Sequence, residues 1–560
     1  MSRFESPTTV PEALERAAHR FPERGIAVFD GRARHHERRT WPEVLDAARK
    51  AAGCWAAAGL GPGDRLVIAQ STSWEWLDGW LGAVWLGALP VAAAPGAGLG
   101  PAEAQVRKVE GVMERLEGRF ALVSDVFRRS AQSLGALSVV ERAITPDQLF
   151  GLAPDEVSPP RPQADDHAFL QLTSGSTGIP RAVQITHRGI LHNARAIDQR
   201  IGEPQGGPTS EWADGIVSWL PLHHDMGLVG CVFVTMVAGI DLWLLQPTTF
   251  LARPQHWLRE LGKRGRTYTH APNFGYQLCV ERLDPGDLDG LDLSSWSAAI
   301  TGAEMIRPET VAAFVDKFGP LGFRPQCIRP SYGLAEATLG VTCDRAGEGL
   351  RTLPLPSELA EQAVDADLSE VASVGPPMAD TEVRIVGTDG RTLADGRVGE
   401  VAVRGPGVFT GYWNDSAATA ESLVSGELRT GDLGFLRDGE LYLTGRTKDL
   451  LIVRGNNLMP HEIEWLAEKV TGGGGALRSG AFSVSHGTRG EEAVVVVETQ
   501  ERDDEKVELQ RRDIRLEVSK GLGLVLADVV FVRRGRIPKT SSGKVQRREL
   551  RRMYLDGELA

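Results

Sequence analysis

A run of small, hydroxylated residues, Thr173-Ser174-Gly175-Ser176-Thr177-Gly178, stands directly behind the apolar Leu170-Gln171-Leu172. Small side chains let backbone N–H groups close on a polyphosphate, and the hydroxyls of Thr173, Ser174, Ser176 and Thr177 add donors. The same composition suits a surface turn, and no GK[ST] closes the run as a Walker A loop requires. Its continuation into Gly178-Ile179-Pro180-Arg181 and Thr186-His187 favours phosphate binding. Further on, His223-His224-Asp225 has the residue types of a metal site. Adjacent side chains diverge, however, and no third ligand set lies nearby, so a metal there is disfavoured. Lysine is scarce: of 62 basic residues only those at 50, 108, 263, 317, 448, 469, 506, 520, 539 and 544 are Lys. A lysine at a motif position is correspondingly hard to dismiss as incidental.

The segment TSGSTGIPRAVQITHRG (173–189) is similar to the phosphate-loop signature of the adenylate-forming superfamily, which includes acyl-CoA ligases, fatty-acyl-AMP ligases, adenylation domains and luciferases. The likeness extends over essentially the whole chain, with motifs in the family's order. SWLPLHHDMG (218–227) and APNF (271–274) resemble the fatty-acyl-AMP ligase forms of the acyl-site segments, which implies that His224 faces the carboxylate or lines the acyl pocket. Thr301-Gly302-Ala303-Glu304 looks like the adenine-contacting turn, where a flat base needs small residues to reach backbone. In YGLAEAT (332–338) the resemblance implies that Tyr332 and Gly333 meet adenine and that Glu336 ligates Mg²⁺. One carboxylate is chemically adequate for Mg²⁺, because phosphates and waters complete its shell, although Glu is also an ordinary surface residue. RTGD (429–432) matches the ribose element. Asp432 then accepts from the ribose hydroxyls, Arg446 contacts ribose or phosphate, and Lys448 falls at the hinge.

IPKTSSGK (537–544) resembles the loop of the catalytic lysine. When a carboxylate nears an α-phosphate, two like charges about 4 Å apart repel by roughly 4 kcal/mol at an effective dielectric of 20. A cation bridging both offsets that, which is on the order of a thousandfold in rate. Lys544 has the flexible stem and point charge for this task. The competing reading is a basic tail, which Arg547, Arg548, Arg551 and Arg552 also suggest.

The resemblance therefore implies an ATP- and Mg²⁺-dependent ligase. A carboxylic acid is activated as acyl-AMP with release of pyrophosphate, then transferred to a phosphopantetheine thiol of an acyl carrier protein or to CoA. Two features bear on the branch. Most members carry Lys-Gly where this chain has Arg181-Ala182. Either Arg takes over phosphate binding, or the adenylation step is impaired and supplied adenylates are processed. Residues 342–373 are a polar stretch at the place of the insertion that marks fatty-acyl-AMP ligases. A non-catalytic adenylate binder is the alternative of another class. NAD binding is set aside, because GAGLG (96–100) and GLG (521–523) lack the GxGxxG spacing.

Positioning these groups requires a layered scaffold. Residues 11–22 and 41–59 have apolar positions three and four apart, as amphipathic helices do, and Arg65–Ala69 reads as a buried strand. The uncharged run 79–94 is too short to span a bilayer and reads as a buried helix leading into a strand. Strand and helix alternate to about residue 340, and 382–445 reads as an antiparallel β unit. After Arg446 the chain restarts with its own strands and two helices. The expected fold is α/β: a large domain over 1–445 with layered sheets and a β-rich subdomain, then a small mobile α+β domain over 446–560. A net charge of −12 argues against nucleic acid. The five dispersed cysteines and the lack of a signal-peptide pattern suggest a reducing, cytoplasmic setting without membrane insertion.

Overall fold

The computed structural model describes residues 7–95, 102–158, 161–173, 180–202, 213–354, 370–449, 451–453, 456–472, 478–485, 491–539 and 544–559. The helix Trp41–Ala57 begins at a capping box of Thr40 and Glu43, and Trp41, Val44, Leu45, Ala48, Ala52 and Trp55 form its buried stripe. It packs on the helix Trp74–Leu86, where a Cβ on Gly82 would stand 2.6 Å from that of Ala51, so only glycine permits this approach. That second helix runs into the strand Leu89–Ala92, as the uncharged run predicts.

Two mainly parallel sheets carry the large unit. One has eight strands, with Gly25–Phe29, Asp241–Leu244, Gly215–Ser218, Thr267–Ala271, Trp296–Thr301 and Ile328–Gly333 parallel to one another. Antiparallel strands His36–Thr40 and Gly340–Cys343 close its two edges. The other has six strands and ends in the hairpin of His167–Thr173 with Arg181–Thr186. Parallel strands buried on both faces read as continuous apolar runs, which is how LVIA and FALV stand in this chain. The expected antiparallel unit is present as a five-stranded sheet that includes Glu427–Arg437 and Glu440–Arg446.

Beyond residue 450 the core is separate. Buried residues of the large cluster run from Val10 to Leu441, whereas two further clusters draw on Leu451 to Val529 and on Phe482 to Leu559. Among its described residues this region holds a three-stranded and a two-stranded sheet and three helices, Pro460–Thr471, Asp504–Leu522 and Arg547–Leu555, where two helices were expected. The third is the segment that resembled a basic tail. Leu550 is buried against its neighbours, and Arg547 donates to both carboxylate oxygens of Glu464 at 2.7 Å. No described helix is long and apolar enough to cross a membrane.

Candidate active site

The hydroxyl-rich run stands in sequence between the two paired strands of the hairpin. Thr173 pairs with Arg181 across it, while Ser174, Gly175, Ser176, Thr177 and Gly178 fall outside the described residues. Two neighbours tie the strand ends to the rest of the site. The buried Gln171 donates to the His223 carbonyl at 2.9 Å, and Trp413 N–H donates to the Ala182 carbonyl at 2.8 Å. Ala182 is an interior strand residue with its methyl in the core, so its backbone needs no glycine there. Arg181 is half-buried, 3.7 Å from Asp415 and with its guanidinium 5.2 Å from the centre of the Tyr412 ring.

The adenine-type turn and YGLAEAT leave the ends of adjacent parallel strands. A Cβ on Gly302 would meet the Ser331 carbonyl at 2.7 Å, and one on Gly333 would lie 1.8 Å from the Leu339 carbonyl, so both glycines serve close backbone approach. Ala303 has φ +68°, and Thr338 has φ +67° with ψ −48°, both unfavourable for residues with a Cβ. Such strain persists only where surroundings impose it, and around functional turns it is common. Asn193, on the helix that follows the hairpin, supplies part of that support. Its amide donates to the Ala337 and Gly340 carbonyls and accepts from Gly340 N–H. Glu304 does not hang free beside the turn: its carboxylate accepts from the Phe274 N–H at 2.6 Å, pinning the APNF segment.

Tyr332, Asp432 and Arg446 form one chain of contacts. The Tyr332 hydroxyl donates to Asp432 Oδ2 at 2.6 Å, and Arg446 Nε donates to Oδ1 at 2.5 Å. Asp432 and Arg446 are register partners on neighbouring antiparallel strands, so the β pairing itself brings them together. Burial and the Asp432 charge push the Tyr332 phenol far above its usual range. The same carboxylate raises Arg446, which therefore stays charged. Lys448 lies in the 3-10 turn Thr447–Asp449 directly after this strand.

His224 caps the short helix Asp225–Gly227, its ring 4.7 Å from that of His223. Burial holds His223 well below the ordinary histidine range, with the nearby His224 and Lys108 adding to the effect, so the ring is neutral. The two histidines and Asp225 do not converge as a ligand set among the described residues. The one cluster that does, Asp344, Glu348 and Glu440, is occupied by the Arg351 guanidinium, which pairs with all three. It lies at the base of the polar stretch 342–373, whose described ends pair as Thr352–Pro354 with Glu370–Ala372.

Lys544 comes from the C-terminal unit into this cleft. Its side chain is exposed to solvent, while the protein packed around it lowers its pKa. The positive Arg446 lowers it further, while Asp225, Asp432 and Glu304 act to raise it. Asp225 is the residue that motif reading passed over. Its carboxyl is raised by burial and by the charge of Glu336 and lowered by Lys544, so it feels both groups. Glu336 sits on the 3-10 turn Ala335–Ala337, and one of its oxygens accepts from the Tyr412 hydroxyl at 2.7 Å. Among the described residues no hydrogen bond to its other oxygen is formed, which leaves a hard oxygen donor whose charge acts on the Asp225 carboxyl. That donor set suits a small divalent cation. The C-terminal unit is held in place by Arg307, which donates to Glu468 at 2.7 Å and lies over Trp465, and by Arg478 over Phe274.

Residues 14–413 match the family described as AMP-binding enzyme. A medium-chain-fatty-acid–[acyl-carrier-protein] ligase, JamA, of Moorena producens is 38% identical over 71% of this chain and 69% of its own. The long-chain-fatty-acid–AMP ligase FadD26 of Mycobacterium tuberculosis is 35% identical over 91% of this chain and 90% of its own. A solved structure from a study of fatty acyl-adenylate ligases of E. coli and L. pneumophila superposes with a TM-score of 0.88 at 28% identity, covering 100% of this chain and 99% of that one. The chain therefore belongs to the AMP-binding enzyme family, the adenylate-forming enzymes.

Proposed function

We propose that the protein converts a carboxylic acid, fatty or otherwise hydrophobic, and ATP into acyl-AMP and pyrophosphate, then transfers the acyl group to a phosphopantetheine thiol. The observation that carries this reading is that the charges of Asp225, Asp432 and Glu304 act on Lys544, and that of Glu336 on Asp225. In this reading the 173–178 turn and Arg181 hold the β- and γ-phosphates. Tyr332 and the 302–304 turn receive adenine, and Asp432 with Arg446 orients the ribose. Glu336 would hold Mg²⁺, which when bound neutralises charge on the ATP oxygens. Lys544 bridges the substrate carboxylate and the α-phosphate as the acid oxygen attacks phosphorus and pyrophosphate leaves. His224, at the mouth of the acyl segment, faces the carboxylate.

The residues that follow Lys448, with cores of their own, then rotate about it, carrying Lys544 away and opening a path for the thiol. A carrier-protein thiol is the favoured acceptor, supported by the activity for which the Moorena relative is named. CoA is the alternative, since a Caulobacter vibrioides relative, 31% identical over 99% of this chain, is named a putative acyl-CoA synthetase. The test offers purified protein a panel of carboxylic acids with Mg·ATP, holo carrier protein and CoA, following pyrophosphate and acyl thioesters. Acid-dependent pyrophosphate release followed by one thioester is expected. No release, together with no use of synthetic acyl-AMP, overturns the reading.

A further inference from the structure

Glu336 does not stand alone on its turn. Tyr412, 6% exposed, gives its hydroxyl proton to Glu336 Oε1 at 2.7 Å, and the same ring lies beneath the Arg181 guanidinium. The segment bearing Tyr412 is stapled on both sides. Gln184 N–H donates to the Gly411 carbonyl at 3.0 Å, Tyr412 bridges Val183, and Trp413 N–H donates to Ala182. On the other side Phe409 N–H donates to the Glu336 carbonyl at 2.8 Å. Residues 411–413 thus pair alongside the strand Arg181–Thr186, while Phe409 grips the turn carrying Glu336. The Tyr412 N–H, donating to Thr419 Oγ1 at 2.9 Å, fixes the ring's own backbone. A carboxylate on a short turn has rotamer freedom, and one neutral donor fixes it while leaving its second oxygen and its charge available.

The geometry points to Tyr412 as a positioning residue for the adenylation half-reaction, setting the distance between the phosphate hairpin and the Glu336 oxygen that takes the divalent cation. The inference rests on the proposed function, and it assigns to Tyr412 a task that the transfer half-reaction does not need. Acyl-AMP has already lost the phosphates that the cation and Arg181 would hold. A phenol at this site orients Glu336 without consuming its charge, which an arginine there would do.

Tyr412→Phe isolates the hydroxyl, because the ring under Arg181 and against Phe409 remains. Mn²⁺ binding in the presence of a non-hydrolysable ATP analogue, read by electron paramagnetic resonance, should weaken about tenfold, as expected for loss of one hydrogen bond to a charged group. The Mg²⁺ concentration for half-maximal pyrophosphate release should rise by a similar factor, with partial rescue at high Mg²⁺. Transfer from synthetic acyl-AMP to the thiol should proceed at the unmodified rate. Unchanged Mn²⁺ affinity would overturn the assignment, as would an equal loss in both half-reactions, which a purely structural role produces. Failure of the unmodified protein to bind Mn²⁺ with the analogue would instead count against the proposed function.

Discussion

Tyr332, Asp432 and Arg446 are joined by short hydrogen bonds inside one folded unit, whereas Lys544 reaches the same cleft from a unit with cores of its own. Asp432 is nine-tenths buried, with Arg446 as its register partner and the Tyr332 hydroxyl bonded to it from another sheet, so this trio is assembled without a ligand. The lysine arm depends instead on a few contacts across the cleft, chiefly Arg307 with Glu468 and Trp465. A preorganised half and a removable half are what two successive reactions on one adenylate require. Both steps hold the nucleotide, while only the first needs an ammonium group between two anions.

The comparison breaks most severely at Asp432. Asp432→Ala strands a buried phenol and removes the partner of Arg446. Charged hydrogen bonds of this kind contribute about 1.5–3 kcal/mol, so kcat/KM for ATP should fall roughly a hundredfold. Use of synthetic acyl-AMP should suffer too, since the ribose is common to both steps. Steady-state kinetics of each half-reaction checks this, and an effect confined to adenylation would show that the cradle is not shared.

Arg307→Ala sharpens the other side. Removing a partly buried ion pair shifts the closed arrangement by about 1 kcal/mol, so adenylation should slow roughly fivefold. Thiol transfer should stay constant or quicken, because Glu468 keeps its hydrogen bonds from Ser479. A uniform decline in both steps would place Arg307 in folding and not in closure.

The smallest effect concerns pH. In the proposed mechanism the protonated lysine is the active form, so adenylation should be lost as pH rises through its pKa. Burial and Arg446 lower that pKa, so the basic limb of kcat/KM should lie below the ordinary lysine value of about 10.4. In Lys544→Arg the limb should move beyond the accessible range. A limb that is unaltered in that variant belongs to another group.

Much of this site was legible in residue order. Asp432 and Arg446 were placed by motif, and strand pairing brings them together. The rarity of lysine pointed to Lys544. What escaped reading were contacts made by groups remote in sequence. Nothing near Glu304 announces that it pins Phe274, and nothing near residue 225 says that its carboxyl feels the charge of a lysine 319 positions later. RRELRRMYL resembled a tail because its charge hides the ion pairs that Arg547 makes with Glu464 and Asp449. Tyr412 offered a signal of the kind applied to lysine: the chain has only 6 tyrosines, and two of them meet carboxylates of the cleft.

The most direct test follows both half-reactions in one preparation of Lys544→Ala. The account predicts that acid-dependent pyrophosphate release falls on the order of a thousandfold, while synthetic acyl-AMP is passed to the thiol at the unmodified rate. Pyrophosphate release at an undiminished rate would contradict it.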